Sequence, residues 1–561
     1  MEMISGYISK LRFNSGETMD IRKNDIVVFV GPNNAGKSQS LKDIYSLSSK
    51  KMSSIVVSDI EVSKTAGSLY PLLERVSNGI DKGDYIHYSI LGHGLVYNKN
   101  HSDGLFLRET CFSDFRDLFV VNLDTAARLS ICWPPNNINR TDSREHPIHY
   151  AAFDGKYRKW LSDSFKKAFG KELTPNTQFG ASIPLCIGEQ VKLTEEYEDE
   201  QQRLEAYASI LETYQQVQDQ GDGIKSFTGI LLYLMLDYYK TFLIDEPESF
   251  LHPPQARIMG QIIGNTLSDT QQAFIATHSE DILKGLLEAC PQRLKIVRIT
   301  RNSNSNCFSI INNERFNEVW NDPLLKYSNI TSSLFHKSVV LCESDSDCKM
   351  YSIVDAFVKR LDNRYSEALF IHCGGKQRMA KISRALRALN IDVRLIPDLD
   401  VLNDEGVFRS IIEAYGINWN IIEKDYRIII NNLHSYKEQI SRNDVKTTID
   451  GILNSSTDKY LSKKELGDIR DAISTTSKWD ILKKYGIIAI PQGDSTNAFK
   501  RIDAVLRTNH IYIVPVGELE CFVKEVGGHG PEWVNRVLER FPDLNSNEYS
   551  QIRDFILSID I

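Results

Sequence analysis

The sequence predicts an α/β protein with two parallel-sheet units in tandem, and three features carry that prediction. The apolar run Ile26-Val-Val-Phe-Val30 ends in Gly31-Pro-Asn-Asn-Ala-Gly-Lys-Ser38 and leads into a helical pattern. Two further short apolar strands follow, Thr241-Phe-Leu-Ile-Asp-Glu246 and Ala273-Phe-Ile-Ala-Thr-His278, each ending in side chains able to do chemistry. From Ser338 onward strand and helix patterns alternate again, and each strand closes on acidic or glycine residues. That is the pattern of an open parallel sheet with its site at the strands' C-terminal edge.

A chain of 561 residues is too long for one hydrophobic core. Its composition, 42% hydrophobic and 25% charged, is that of a water-soluble globular protein, and no apolar run is long enough to cross a bilayer. The start of the chain has neither a basic nor an apolar leader pattern, and nine cysteines are scattered without a CxxC pair, so reduced thiols in the cytoplasm and no membrane partner are expected. The formal charge of −8 argues against a protein that coats nucleic acid through bulk electrostatics. Meeting phosphate would take a local basic face or divalent cations held by carboxylates.

Taken in order, residues 4–13 and 20–30 read as strands around a turn at residues 14–16. Residues 31–38 fit the phosphate-binding P-loop at every defined position. Gly31 and Gly36 permit a turn whose successive N–H groups, Asn33 and Asn34 among them, face one anion; Lys37 would reach the β- and γ-phosphates of ATP, and the Ser38 hydroxyl would hold Mg²⁺. Periodicity assigns nothing with certainty up to residue 110, and residues 117–122 then read as a buried strand. Residues 188–220 read as a long amphipathic helix or arm. Gly221-Asp-Gly-Ile-Lys-Ser-Phe-Thr-Gly229 breaks it, and a buried helix is expected from Ile230. At the end of the 241–246 strand Asp245 is assigned to the metal and Glu246 to the general base, because a strand-end carboxylate pair beside a P-loop can hold Mg²⁺ and polarise water. His278, one helix and one strand later, is placed at the γ-phosphate.

Together, Gly31 to Ser38, Gly221 to Ser226, Leu243-Ile-Asp-Glu-Pro-Glu-Ser-Phe-Leu-His-Pro253 and Thr277-His278-Ser279 resemble the ATPase head of the ABC class, in the branch of SMC-type and DNA-repair ATPases. The resemblance implies an ABC-type ATPase domain over residues 1–335 and a head-to-tail dimer with ATP buried between subunits, each P-loop facing the partner's glycine turn. Gly223 and Ser226 would supply that turn, although this chain has Gly-Asp-Gly-Ile-Lys-Ser where transporters carry Leu-Ser-Gly-Gly-Gln. The nearest thing to a Q-loop is Asp124-Thr-Ala-Ala-Arg128.

The polar run Asn302-Ser-Asn-Ser-Asn306 marks a turn or linker, and a boundary is expected near 330–337. Strands are expected at 338–343, 368–373 and 393–396, helices at 346–359 and 377–389, and a tight turn at 374–376. Glu343, Asp347, Asp398 and Asp400 then fall at neighbouring strand ends. Four carboxylates in one cleft cannot all stay ionised without cations, and oxygen ligands select Mg²⁺ or Mn²⁺. Two such ions about 4 Å apart clamp both oxygens of a phosphodiester displacement. The competing reading is that strand-end acids only cap the following helices.

Glu343 followed by Asp398-x-Asp400 across a Gly-Gly turn resembles the Toprim domain of topoisomerases, primases and nucleases. An ABC head followed by Toprim resembles the overcoming-lysogenisation-defect (OLD) nucleases, including Gabija and retron-associated phage-defence members. This implies a Toprim nuclease domain over 336–561 with a helical insert at about 405–482, and a metal-dependent DNA endonuclease regulated by ATP. The insert, with helices expected at 421–440 and 462–481, would be a solvated lid or bind DNA. Glu520 of Gly517-Glu-Leu-Glu520, after an expected strand at 511–515, would add a metal ligand, with Glu518 as fallback. Lys376 would be the basic residue near the scissile phosphate. The implied partners are DNA, further copies of the chain in a dimer or tetramer, and a defence protein, either a reverse transcriptase with its RNA–DNA product or a helicase. The alternative is a non-catalytic DNA-repair clamp; a topoisomerase would need a nucleophilic tyrosine and a DNA gate, neither of which is identifiable.

Overall fold

All five residues of Ile26–Val30 are buried, as a strand flanked by parallel neighbours and covered on both faces requires. In the computed structural model it lies inside a six-stranded sheet. The strand order is Ser305–Ile311, Leu294–Asn302, Ile26–Val30, Gln272–Ala276, Thr241–Asp245, Val120–Leu123. Every pairing is parallel except the outer hairpin of the first two. The P-loop strand therefore neighbours the strand before His278, which neighbours the strand ending in Asp245, so all three motifs leave the same sheet edge. The structure describes every residue except 1, 51–53, 92, 190, 192–198, 303–304, 312–315, 317–321, 323–329, 435–440, 456–459, 474–477 and 560. It forms two compact units, Met1–Trp320 and Asn321–Ile561.

Around the first sheet the sequence reading needs several corrections. The strand expected at 117–122 begins only at Val120, because Arg116–Phe119 makes a helical turn. Arg116 lies over the Tyr45 ring at 3.8 Å, and Phe119 stacks on Phe112 and Phe106. The stretch before residue 110 holds Val57–Lys64, which pairs with Gly6–Phe13, and a three-stranded antiparallel sheet of Ile80–Lys82, Tyr85–Ile90 and His93–Asn98. That sheet is half exposed, so few of its residues carry an apolar signal. The long helix expected at 188–220 shrinks to Glu200–Glu212, capped by Asp199, while residues 192–198 lie outside the described residues. Gln215–Gln216 then pairs with Leu185–Ile187. Of the polar run at 302–306, Asn302 ends one hairpin strand and Ser305 and Asn306 begin the other, with Asn302 paired to Ser305.

The helix expected from Ile230 starts earlier, spanning Asp222–Leu234. Two glycines sit inside it for packing: a Cβ on Gly223 would meet Phe250 O at 2.6 Å, and one on Gly229 would meet Arg128 O at 2.2 Å. Glycine costs helix stability but lets backbones touch, and the contact decided the sequence here.

In the second unit Ser338–Cys342 is the central strand, with Ala368–His372 on one side and Asp392–Ile396 on the other, all parallel. The strand expected at 511–515 is an extended segment with a single bridge, Leu395 to Ile511. Leu395 N–H donates to His510 O at 2.9 Å and Val514 N–H to Pro397 O at 3.1 Å. Pro515 and Gly517, at φ +109°, end the pairing before a ladder can form. Behind the sheet Asp345–Leu361 packs on two helices that the sequence reading left unassigned, Gly530–Arg540 and Ser550–Ser558, around fully buried Trp533. The insert contains Glu423–His434, Arg442–Leu453, Lys463–Ile473 and Lys478–Tyr485, so the helix expected at 462–481 is two, separated by residues outside the described set. No helix among the described residues is long and apolar enough to cross a membrane.

Candidate functional site

The P-loop backbone takes the form its glycines allow. Gly31 and Gly36 have φ +141° and +105°, Asn34 joins them at +58°, and helix Lys37–Ser49 follows at once. A Cβ on Gly31 would collide with Ile299 O at 2.0 Å, so this position excludes any side chain. Asn33 and Asn34 are exposed. Lys37 is buried, its amino group donating to Gly31 O at 2.9 Å and Pro32 O at 2.8 Å, and burial lowers its pKa. Ser38 Oγ donates to Asp245 Oδ1 at 2.7 Å, which joins the two residues expected to share a metal. Burial raises the Asp245 pKa. Glu246 sits at φ +47° with its side chain 41% exposed, while His278 Nδ1 lies 3.5 Å from Glu246 Oε1 and 3.3 Å from Glu248 Oε1.

Two residues assigned no role in the sequence complete this edge. Glu248 is buried; it accepts the His278 backbone N–H at 2.9 Å, and burial raises its pKa. Arg128 is fully buried, donating to the Asp245 and Glu246 carbonyls, to Leu123 O at 3.1 Å and to Ser226 Oγ at 3.1 Å. The segments expected to form the Q-loop and the glycine turn meet at this arginine. Asp124 caps the short helix Thr125–Ser130, and Arg128 props the acid pair from behind. Ser226 is fully buried and its hydroxyl accepts from Arg128, and Gly223 is half-buried under Phe250. A strand-end acid pair needs a buried donor beneath its carbonyls, and that was the available signal for Arg128.

In the second unit Glu343 and Asp347 frame the start of helix Asp345–Leu361. Asp347 does cap it: Ser344 N–H donates to Asp347 Oδ2 at 2.8 Å and Asp347 N–H to Ser344 Oγ at 3.3 Å. Gly374 and Gly375, at φ +69° and +111°, both donate N–H to Glu343 O at 3.1 Å, which pins the turn beside the acid. Asp398 begins the 3-10 turn Leu399–Asn403 that carries Asp400. Lys376 Nζ pairs with Asp400 Oδ2 at 2.9 Å and donates to Asp400 O at 3.2 Å.

These acids share one electrostatic environment. Burial, then the charge of Asp400, raises the Glu343 pKa; burial raises Asp347; burial, then Asp347, Glu343 and Asp400, lifts Asp398 well above its ordinary value. Glu343 Oε2 and Asp400 Oδ1 are buried with no hydrogen-bond partner among the described residues. Orphaned anionic oxygens facing like charge are the donor set that a hard divalent cation satisfies, so the residues present fit such a group.

Glu520 and Glu518 arrive on the 511–520 segment, alongside Asp398. Glu520 Oε1 accepts Gly530 N–H at 2.9 Å, and Glu518 Oε2 pairs with Lys483 Nζ at 3.0 Å. Ligand atoms of Glu518, Glu520 and His529 all lie within 4.8 Å of one another; among the described residues Glu343, Asp347, Asp398 and Asp400 form no such tight group. His529, 77% exposed on its side chain, was not visible in the sequence, where nothing connects it to Glu520.

Comparison with known proteins agrees with both halves. Residues 150–284 match the family described as AAA domain, putative AbiEii toxin, Type IV TA system, and residues 334–400 match the TOPRIM domain of the overcoming lysogenization defect protein-like family. The chain is 22% identical over 328 residues to the Old nuclease of Escherichia phage P2, across 56% of this chain and 49% of that protein. The match thus spans about half the length of that relative. Among solved structures, the SMC head domain from Thermotoga maritima is 13% identical, covering 55% of this chain and all of that one at a TM-score of 0.28. An Smc head bound to the C-terminal domain of ScpA, derived from Pyrococcus furiosus, is 11% identical, covering 56% of this chain and 98% of that one at a TM-score of 0.33.

Proposed function

We propose that this chain, which joins an AAA-type ATPase domain to an OLD-like Toprim domain, is an ATP-regulated, divalent-metal-dependent DNA endonuclease of antiphage defence. The observation that carries the reading is the sharing of charge among Glu343, Asp347, Asp398 and Asp400 at one parallel-sheet edge, with two of their oxygens buried and unpartnered. A capping role accounts for Asp347 alone. It does not account for Asp398, Asp400 and Glu343, half-buried acids gathered at one edge, of which Asp400 is paired with Lys376.

Glu343, Asp347, Asp398, Asp400 and Glu520 would hold Mg²⁺ or Mn²⁺. Bound there, such cations supply an activated water and neutralise charge on the phosphate. The protein's part is to fix these oxygens on strand ends and short turns, so that little reorganisation is needed when DNA arrives. Lys376 holds Asp400 in place from the Gly-Gly turn. In the first unit the P-loop, Ser38 and Asp245 would bind ATP with Mg²⁺, and Glu246 and His278 would act at the γ-phosphate. ATP binding would join two heads into a dimer and gate the nuclease. A partner protein of the defence system, a reverse transcriptase with its RNA–DNA product or a helicase, would supply the trigger.

The test is cleavage of plasmid and linear DNA by the full chain with Mg²⁺ or Mn²⁺, beside Asp398→Asn and Asp400→Asn. Loss of cutting in both, with ATP binding intact, is expected. Cutting that survives both substitutions would reject the site, and absence of Mn²⁺ binding would favour the non-catalytic clamp.

A further inference from the structure

The last helix of the insert, Lys478–Tyr485, is docked on the turn that carries Glu518. A Cβ on Gly517 would come within 2.1 Å of Lys483 O, and one on Gly486, at φ +71°, would meet Pro515 O at 2.2 Å. Ile487 N–H donates to Pro515 O at 2.9 Å, and Cys521 Sγ to Lys483 O at 3.4 Å. Two glycines thus permit a close backbone approach that any side chain would block.

That approach delivers a cation and an aromatic ring. Lys483 Nζ pairs with Glu518 Oε2 at 3.0 Å, and the charges of Asp400 and Asp398 also act on it. Its side chain is 47% exposed, whereas that of Lys376, the basic residue expected from the sequence, is 17% exposed and is held twice by Asp400. Lys483 is therefore free to exchange a carboxylate for an incoming phosphate in a way that Lys376 is not. The Tyr485 ring beside it is 52% exposed, with Lys484 Nζ at 5.7 Å and Lys524 Nζ at 5.5 Å from its centroid. An exposed ring with two ammonium groups within about 6 Å of its centroid, beside the lysine that pairs with Glu518, has the make-up of a stacking platform for a single nucleic-acid strand. In a chain of net charge −8 such a local basic rim is what lets phosphate approach.

We propose that residues 483–485 and Lys524 form the strand-guiding element of the nuclease: Tyr485 stacks a base, Lys484 and Lys524 meet the flanking phosphates, and Lys483 contacts the phosphate presented to the acids. This rests on the nuclease reading above and names its substrate subsite. Lys483 was outside the sequence reading because its role depends on the docking at Gly517.

The experiment measures fluorescence anisotropy of a labelled single-stranded oligonucleotide with the full chain in EDTA, over a series of salt concentrations, together with cleavage in Mn²⁺. Tyr485→Ala should bind about tenfold more weakly, and Tyr485→Phe should bind like wild type. Lys483→Gln should reduce the salt dependence of log Kd by about 0.7 and lower kcat/KM for cleavage. Should Tyr485→Ala melt lower than wild type, the Lys484→Gln, Lys524→Gln double variant reads the same rim without touching the ring. Variants that bind within twofold of wild type, with an unchanged salt slope and unchanged cleavage, overturn the inference alone. A wild-type chain that neither binds nor cuts DNA overturns the nuclease reading and this one with it.

Discussion

Asp398 is half-buried among carboxylates, and both burial and its neighbours raise its proton affinity above that of an unfolded aspartate. The folded state therefore holds a proton that the unfolded state has released, and stability falls as pH rises from the ordinary aspartate range through the folded value. At neutral pH and without divalent cations the fold carries that cost. Asp398→Asn should raise the metal-free melting temperature at pH 8 by about 2–4 °C while abolishing cleavage, and the gain should vanish near pH 4. Melting in EDTA across that range checks it. Mn²⁺ should stabilise the wild type more at pH 8 than at pH 6, because protons and cations compete for the same oxygens. At the other site Arg128 satisfies three backbone carbonyls and the buried Ser226 hydroxyl. Arg128→Met leaves those groups unpaired and should destabilise the chain by at least about 3 kcal/mol in urea unfolding. ATP hydrolysis should fall with it, since the Glu246 carbonyl is one of the groups released.

Glycine contacts fix how elements meet, and they make element-scale predictions sharp. Gly517→Ala combines an unfavourable φ of +109° with a collision against Lys483 O, so the 478–485 helix must withdraw from the Glu518 turn. DNA cleavage should drop at least tenfold while nucleotide binding, in the other unit, stays unchanged; equal loss of both would point to global unfolding instead. The strands most legible in the sequence were those buried on both faces, while Gly6–Phe13 was read from its alternation and Asp345–Leu361 and Lys376–Ala388 from their helical pattern. Ile26–Val30, Thr241–Asp245 and Ser338–Cys342 read as strands because each is built on an unbroken apolar run. The half-exposed antiparallel strands between residues 57 and 98 carry too little apolar alternation to be read, and Asp222–Leu234 was started too late because Gly223 and Gly229 mimic a turn. Those glycines answer to Phe250 and Arg128, contacts that no local pattern reveals.

For the whole molecule, the candidate sites divide cleanly between units with separate cores: the P-loop, Asp245 and His278 in the first, Glu343, Asp398 and Asp400 in the second. Residues announced by a local motif were legible, whereas Arg128, Glu248 and Lys483 meet partners far away in the chain and were not, and no motif linked His529 to Glu520. The division makes the regulatory part of the proposal measurable. Lys37→Ala should remove ATP-dependent stabilisation and leave the Mn²⁺-dependent shift intact, and Asp398→Asn should do the reverse. If ATP gates the nuclease, the two sites share a coupling free energy, and linkage makes it reciprocal: whatever factor ATP applies to the DNA dissociation constant, DNA must apply to that of ATP. Couplings of this kind are typically about 5- to 150-fold, well within the range of paired titrations. Titrating labelled DNA with and without ATP, then labelled ATP with and without DNA, should give the same factor, and Lys37→Ala should abolish the effect of ATP on DNA binding. Independent binding of the two ligands, in a chain that cuts DNA, would leave the nuclease standing and remove the ATP-driven gate.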